Sequence, residues 1–348
     1  MGKILSIVIP SYNVEKYLEQ TLTSFVETSI LGDIEILVVD DGSKDSTAEI
    51  GKRFQEQYPD TFRVISKENG GHGSTINRGI EECTGKYFKV VDGDDWVNTP
   101  DFKILVEKLK SCDADYIVTN YYEVNDQTGE KTERAYTELK TEYSENGMQK
   151  GQSPLSFCEV AKRVQPSMHA LIFRSSILKE HQIRLDEHCF YVDVEYILYP
   201  LPYVESVVYF DLYVYMYRLA LATQSVSMQG FQKHIQNHID VILHLTEFAE
   251  RYKKTASKDE QIKVDFIGKR IAQMVGDQIT IFMSYPTEDK ENRDRFIQFD
   301  QELRQKSEWI YELSSEESRM LKLLRKINFK GYKIVMKIGK KRNGIVGE

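Results

Sequence analysis

Three clusters of polar and acidic side chains each follow a short apolar run rich in β-branched residues. The clusters are Pro-Ser-Tyr-Asn at 10–13, Asp-Asp-Gly-Ser at 40–43 and Asp-Gly-Asp-Asp at 92–95. If the three runs are parallel strands of one sheet, the clusters lie along the same edge, where open α/β sheets bind their ligands. The spacing therefore predicts one site assembled from separate parts of the chain.

The third cluster is suited to holding a divalent cation. Asp92 and Asp94 are separated only by Gly93, so both carboxylates can turn toward one ion. Grouped carboxylates repel each other unless a cation lies among them. Mg²⁺ or Mn²⁺ is usually held by one or two carboxylates together with substrate phosphates, which predicts a diphosphate substrate. The alternative is a plain polar turn, because Asp and Gly favour turns.

The elements that would position these clusters alternate between strand and helix. Apolar periodicity predicts strands at 5–9, 34–39, 62–66, 87–91 and 116–124, and helices at 14–25, 46–58, 74–83 and from Thr99 onward. Asn13 is placed to cap the first helix. This alternation is typical of an α/β fold with a mostly parallel sheet covered by helices on both faces.

Four segments, in this order, resemble the family 2 glycosyltransferases. They are SIVIPSYN at 6–13, EILVVDDGSKDST at 35–47, NGG at 69–71 followed by Asn77-Arg78-Gly79, and GKYFKVVDGDDW at 85–96. The resemblance is tight over residues 3–100 and continues more loosely to about 228. It implies the GT-A fold and an inverting enzyme that moves a sugar from a nucleotide-diphosphate donor, a UDP-sugar, to an acceptor hydroxyl in bacterial surface-polysaccharide synthesis.

The resemblance also implies a set of donor contacts. These are Pro10, Ser11, Tyr12, Asp40, Asp41, Asn77, Asp92 and Gly93. Within the set, Tyr12 lies near the base and Asp40 accepts its imide hydrogen. Asp92 lies near the ribose and the metal, and Asp94 ligates the Mn²⁺ or Mg²⁺ that bridges the phosphates.

Two positions depart from the family pattern. Ile76 stands directly before Asn77, where many relatives have Arg, so a basic donor contact has to come from elsewhere. The candidates are His72, Arg78, Arg218 and His234, the last two near a predicted closing loop at 224–227. Further on, Val192 replaces the Glu that usually precedes the catalytic Asp.

Asp193 aligns with the family's catalytic base. An inverting transfer is a single displacement, in which one carboxylate near the acceptor takes the hydroxyl proton. Asp193 lies in the Tyr-rich, partly apolar stretch 190–199, and Glu195 is the next candidate in the same stretch. The alternative role for Asp193 is to cap the helix that begins there.

Domain boundaries are predicted from changes in pattern. Residues 1–228 form the GT-A catalytic domain, with a nucleotide-binding half at 1–124 and an acceptor half at 125–228. Residues 229–348 form a C-terminal helical region, with long helices predicted at 234–252, 258–285 and 288–313.

The end of the chain is strongly basic. Residues 318–348 contain ten Lys or Arg and one Glu, a net charge of +9, so residues 1–317 carry −17. Met320, Leu323, Leu324 and Ile327 fall on one helical face of this tail, which favours contact with an anionic membrane surface. Packing on the acidic body or a homodimer contact is the alternative. The acidic body argues against nucleic acid as a partner.

The predicted location is the cytoplasm, peripheral at the inner face of the cell membrane. The four cysteines are widely spaced without a C-x-x-C pair, which fits a reducing compartment. No run of 18 apolar residues occurs, and the N-terminal apolar run, ending at Pro10, is too short for a signal peptide.

Two functional classes remain open from the sequence. The first is a transferase that acts on a glycan or lipid-linked glycan acceptor. The second is a non-catalytic glycosyltransferase-like subunit that binds a membrane or a partner transferase. The intact pair Asp92 and Asp94 favours the first class. The departures from the family pattern at Ile76 and Val192 keep the second class open.

Overall fold

The structure is a computed structural model that describes residues 2–140, 154–219 and 228–342. The chain divides into two compact units, Met1–Leu221 and Ala222–Glu348. The predicted closing loop at 224–227 and the last six residues of the basic tail, 343–348, lie outside the described ranges.

The first unit is built on a mixed sheet. Its strands are β1 (Leu5–Ser11), β2 (Ile34–Asp40), β3 (Phe62–Ser66), β4 (Tyr87–Val90), β5 (Trp96–Val97), β6 (Tyr116–Asn125), β7 (Lys131–Arg134), β8 (Leu155–Ser156), β9 (Leu171–Arg174) and β10 (Ser206–Leu219). Their spatial order is β3-β2-β1-β4-β9-β6-β10-β5, with β7 beside β6 and β8 beside β10.

The half of the sheet that holds the polar clusters is parallel. Strands β3, β2, β1 and β4 are neighbours and run in the same direction. The apolar residues of β1 and β2 are fully buried, as continuous apolar runs in a parallel sheet require. Strand β9 lies antiparallel between β4 and β6, and it brings the segment before Leu171 close to the end of β4.

Seven helices of the first unit flank the sheet. They are α1 (Glu15–Thr23), α2 (Thr47–Gln57), α3 (His72–Glu82), α4 (Thr99–Ser111), α5 (Phe157–Ala161), α6 (Ser175–Glu180) and α7 (Asp193–Leu198). Helix α3 begins two residues earlier than predicted, so His72 lies in its first turn. The predicted cap at Asn13 is wrong, because Val14 is the N-cap residue and the Asn13 side chain accepts a hydrogen bond from the amide of Lys44 at 2.9 Å.

The second unit is helical, as predicted. Its helices are α8 (Met228–Lys233), α9 (Ile235–Thr255), α10 (Gln261–Ser284), α11 (Lys290–Lys306), α12 (Glu308–Glu317), α13 (Arg319–Lys326) and α14 (Tyr332–Arg342). The single helix predicted over 288–313 is in fact two helices. Ser307 has an extended backbone, and its hydroxyl accepts a hydrogen bond from the amide of Ile310, which ends α11 and starts α12.

The basic tail folds back onto the second unit. Leu321, Leu324 and Met336 are almost fully buried, and Arg325 forms an ion pair with Asp300 at 2.7 Å in which both side chains are 6% exposed. The apolar face predicted to meet a membrane is therefore only partly available, because Leu324 is used for packing. Within the described ranges, no helix has the length and apolarity needed to cross a bilayer.

Candidate active site

The register of the parallel strands brings the polar clusters together. Ser11 at the end of β1 pairs with Asp40 at the end of β2, and Val8 pairs with Val90 at the end of β4. Asp92 follows β4 by two residues, so all three clusters meet at one edge of the sheet. This is the arrangement that the sequence predicts.

Residues 10–12 and Asp40 form one side of this edge. The Tyr12 ring is half exposed, whereas Ser11 and Asp40 are buried. One carboxylate oxygen of Asp40 accepts a hydrogen bond from the amide of Ser43 at 3.0 Å. The Ser11 hydroxyl donates to the carbonyl of Ile9 at 3.1 Å. The amide of Gly93 donates to the carbonyl of Pro10 at 3.1 Å, which ties the third cluster to the first.

Asp41 has a supporting role within the protein, and its donor contact stays a prediction. Its carboxylate accepts hydrogen bonds from the amides of Gly70 and Gly71 at 2.9 and 2.8 Å, and from the Lys67 ammonium at 2.7 Å. Gly71 has φ of +83°, a backbone conformation that favours glycine. Asp41 therefore fixes the glycine turn that starts α3.

Asn77 also has a supporting role, and its donor contact stays a prediction. It is 3% exposed, its amide nitrogen donates to the carbonyl of Leu185 at 2.9 Å, and its amide oxygen accepts from the amide of Leu185 at 2.8 Å. A Cβ on Gly73 would overlap the carbonyl oxygen of Asp186, so glycine allows the same close approach. Asn77 thus joins α3 to the segment that leads to Asp193.

We expect Asn77→Ala to lower stability and to leave donor affinity unchanged. The substitution removes both hydrogen bonds to Leu185 and leaves buried backbone groups without partners, which costs about 1–3 kcal/mol. Chemical denaturation and donor titration measure the two effects. Asn98→Ala is the control, because Asn98 is half-buried and makes no side-chain hydrogen bond within the described residues. A large loss of donor affinity at unchanged stability would restore the predicted donor contact.

The acidic cluster at 92–95 is crowded and partly neutralised by histidine. The Asp92 carboxylate lies 2.8 Å from Nε2 of His72. Burial alone would lower the pKa of His72, but the Asp92 carboxylate, together with Asp193 and Asp94, raises it. Burial and the neighbouring Asp92 carboxylate raise the pKa of Asp94 to about 6. In such a cluster each carboxylate makes ionisation of the next less favourable. This arrangement is suited to binding a divalent cation.

Asp95 stabilises the cluster from behind. Its carboxylate accepts hydrogen bonds from the Tyr215 hydroxyl at 2.6 Å and from the amide of Arg218 at 2.7 Å, and the residue is 1% exposed. Burial, with the charges of Asp94 and Asp92, raises its pKa well above the usual value. Asp95 therefore connects the cluster to β10.

The guanidinium of Arg218 is engaged in contacts within the first unit. Its guanidinium donates to the carbonyl of Asp94 and to the side chain of Gln20, both at 2.7 Å, and forms an ion pair with Asp126. The rings of Tyr17 and Trp96 lie on it at 4.8 and 4.6 Å. Arg218 is only 6% exposed, so little of its guanidinium can reach a substrate. Of the other basic candidates, Arg78 is paired with Glu82, and His234 lies in the second unit.

His169 is a site residue that sequence reasoning missed. Its ring nitrogen lies within 4.8 Å of carboxylate oxygens of Asp92 and Asp95, a group that could hold a metal ion. The ring stacks on Tyr217 at 4.0 Å, and burial lowers the pKa of His169 to about 4. The carbonyl of His169 accepts a hydrogen bond from Lys89 at 2.8 Å. His169 lies just before β9 and belongs to no sequence motif. Its position beside the acidic cluster follows only from the insertion of β9 into the sheet.

Asp193 and Glu195 differ in environment. Glu195 is fully buried and accepts hydrogen bonds from the amide of Asp186 at 2.8 Å and the Tyr199 hydroxyl at 3.0 Å. Asp193 is half-buried and is the first residue of α7, and the N-cap position belongs to Val192. The Asp193 carboxylate is close enough to raise the pKa of His72 and Tyr217, two groups that Asp92 and Asp94 also affect. The Asp193 carboxylate therefore lies within electrostatic range of two groups beside the acidic cluster.

Comparison with known proteins identifies this arrangement. Residues 6–166 match the sequence model of Glycosyl transferase family 2. Residues 6–166 of the first unit therefore form a family 2 glycosyltransferase domain. The solved structure of S. aureus TarS 1-349 matches 98% of this chain and 92% of its own at 19% identity, with a TM-score of 0.62. That likeness confirms the predicted GT-A fold with its C-terminal helical region.

Curated relatives match the N-terminal part of this chain. Glycosyltransferase GlyA of Streptococcus pneumoniae is 38% identical over 125 residues, which is 36% of this chain and 18% of that protein. Glycosyltransferase GlyG of the same organism is 35% identical over 130 residues, 37% of this chain and 42% of that protein. The EpsJ glycosyltransferase of Bacillus subtilis is 36% identical over 122 residues, 35% of each chain. The matches thus span less than half of these relatives.

Proposed function

We propose that this glycosyltransferase moves a sugar from a nucleotide-diphosphate sugar to an acceptor hydroxyl, with inversion and with a divalent metal. The observation that supports it is the meeting of Tyr12, Asp40 and the acidic cluster at one sheet edge, with Asp193 close enough to affect the pKa of His72. UDP is the proposed nucleotide, because the S. aureus TarS structures of the same fold are complexes with UDP-GlcNAc and with UDP. The proposed role is the synthesis of a cell-surface polysaccharide or glycoconjugate.

The donor site has two parts. The exposed ring of Tyr12 offers a surface for the base, and the Asp40 oxygen that does not bind Ser43 accepts the imide hydrogen. Asp92 and Asp94 would hold Mg²⁺ or Mn²⁺ with the diphosphate. The ion would supply Lewis acidity that offsets the charge developing on the leaving diphosphate. His72 holds the Asp92 carboxylate by a hydrogen bond, and a ring nitrogen of His169 lies within 4.8 Å of the same carboxylate.

The proposed chemical step is one displacement. The acceptor oxygen forms a bond to the anomeric carbon while the bond from that carbon to the diphosphate oxygen breaks. The hydroxyl proton passes to the Asp193 carboxylate, which acts as general base. Asp193 is chosen over Glu195 because both oxygens of Glu195 already accept hydrogen bonds inside the protein. Asn77 and Asp41 fix the segments that bring Asp193 to the donor.

The acceptor and the location follow the same proposal. We assign a glycan or lipid-linked glycan as the acceptor and the inner face of the cell membrane as the place of action. The basic surface of the second unit supports this assignment, because cationic helices bind anionic lipids. A homodimer stays a prediction.

A panel of nucleotide sugars tests the proposal. We expect one donor to raise the melting temperature when Mn²⁺ is present, because a ligand at 100 times its dissociation constant stabilises the native state by about 2.7 kcal/mol. Released nucleoside diphosphate then measures turnover. The control omits Mn²⁺. Stabilisation without any turnover, in the presence of a range of acceptors, would favour the non-catalytic subunit, and no stabilisation by any donor would contradict the proposal.

A further inference from the structure

The exposed side of α14 carries two stripes of different chemistry. Lys333, Lys337 and Lys341 follow one another at intervals of four residues, and Ile334 and Ile338 form the adjacent stripe. Residues four apart lie on the same side of a helix. Ile334 and Ile338 are large apolar residues, yet they are 68% and 51% exposed. Packing within the second unit therefore does not explain them.

Helix α13 continues both stripes. Leu323 is 46% exposed and lies between the exposed residues Lys322 and Lys326. Leu323 and Ile338 line the same surface cavity of about 660 Å³, so these two residues of the two helices face one opening. We refer to Leu323, Ile334 and Ile338 as the apolar strip.

The charges on the α13–α14 segment itself are all positive. Residues 319–342 contain ten Lys or Arg and no Asp or Glu. Arg325 is buried against Asp300, and Lys322 and Lys337 form ion pairs in which all partners are more than half exposed, which are weak. The other seven have no ion-pair partner within the described ranges. They are Arg319, Lys326, Lys330, Lys333, Lys340, Lys341 and Arg342.

From these features we infer that the α13–α14 face docks on an anionic bilayer, with the apolar strip among the headgroups and the flanking cations on the lipid phosphates. The inference rests on the proposed action at a membrane and assigns it to particular residues, of which Leu323 alone belongs to the face predicted from the sequence. An interfacial helix with apolar residues beside Lys and Arg has this composition. Three apolar side chains are too few for a stable protein interface, which buries about 1,200–2,000 Å².

Vesicle sedimentation with the full chain tests the inference. The wild-type protein should bind phosphatidylcholine vesicles that contain phosphatidylglycerol, bind phosphatidylcholine alone much more weakly, and dissociate as salt is raised. The triple variant Leu323→Ser, Ile334→Ser, Ile338→Ser should bind at least about tenfold more weakly, because the inserted apolar carbons are lost. Lys333→Ala and Lys341→Ala should each weaken binding about fivefold.

Matched controls separate this surface from the rest of the protein. Ile104→Ser removes a 43% exposed apolar residue of the first unit and should leave vesicle binding unchanged. All substituted residues are exposed, so thermal melting should be unchanged. Donor binding without vesicles should also be unchanged, and its absence in the wild-type protein would count against the transferase proposal alone.

Three results would overturn the inference. The first is undiminished vesicle binding by the triple variant. The second is equal binding of the wild-type protein to vesicles with and without phosphatidylglycerol. The third is a wild-type dimer that becomes monomeric in the triple variant while neither binds vesicles, which would show that a second copy covers this face.

Discussion

Replacing Asp94 with alanine should abolish sugar transfer and the metal dependence of donor binding. Asp94 is half-buried beside Asp92, and the proposal makes it a ligand of the ion that holds the diphosphate. Loss of a Lewis acid removes several kcal/mol of transition-state stabilisation, and about 1.4 kcal/mol corresponds to a factor of ten. We therefore expect a loss of about 10³-fold or more in kcat/KM, measured by release of nucleoside diphosphate.

The control for this prediction is Asp60→Ala. Asp60 is an exposed carboxylate in the turn after α2, so its loss should change neither metal dependence nor turnover. Full activity of the Asp94→Ala variant would remove this carboxylate from the mechanism. An inactive variant that still binds the donor only when Mn²⁺ is present would move the metal to Asp92, Asp95 and His169, the other group that the structure brings together.

The Asp94 carboxylate should make metal binding depend on pH. Burial and the Asp92 carboxylate raise the pKa of Asp94 to about 6, so a proton competes with the ion below that pH. Affinity for Mn²⁺ should fall by about a factor of ten for each pH unit below about 6 and should change little above it.

Asp193→Asn should leave donor binding intact and slow turnover strongly. The amide keeps the size of the side chain but cannot take the proton from the acceptor hydroxyl. General base catalysis contributes about 10²- to 10⁴-fold, so we expect kcat to fall by that factor while the KM for the donor stays the same. Steady-state kinetics with the donor identified by the panel measure both quantities.

Glu195→Gln is the matched control two residues further along α7. Glu195 is buried and accepts two hydrogen bonds within the protein, so the change to an amide should lower stability instead of acting on proton transfer alone. If Asp193→Asn turns over as fast as the wild-type protein and Glu195→Gln does not, the base is Glu195.

The position of the site was predictable because strand direction alone determines it. Ser11, Asp40 and Asp92 each follow an apolar run, and parallel pairing of those runs brings their ends to one edge. No long-range contact has to be known for that step. The helical second unit was predictable for a similar reason, since the apolar periodicity of a helix is visible within about 15 residues.

The roles of Asp41 and Asn77 were not predictable from pattern. Asn77 bonds to the backbone of Leu185, 108 residues away in the chain, and Asp41 bonds to two backbone amides, which carry no side-chain signal, besides Lys67. A motif shows that such residues matter in a family and does not show which atoms they bind. His169 was missed because β9 enters the sheet antiparallel, and strand order is not encoded in local periodicity.

The exposed face of the basic tail was also not predictable from the sequence. The amphipathic helical pattern of the tail was visible in the sequence, and this pattern placed Leu323 and Leu324 on the same face. The structure separates these neighbours, because Leu324 is fully buried within the second unit and Leu323 is 46% exposed. Only the packing partners of a helix decide which part of a broad apolar face stays at the surface.

A crystal structure with Mn²⁺ and UDP tests the central claim most directly. The account predicts one manganese anomalous peak at the carboxyl end of β4, bonded to carboxylate oxygens of Asp92 and Asp94 and to the diphosphate, with the base against Tyr12. A diphosphate bound at this edge while Asp92 and Asp94 point apart and no peak lies between them would contradict it.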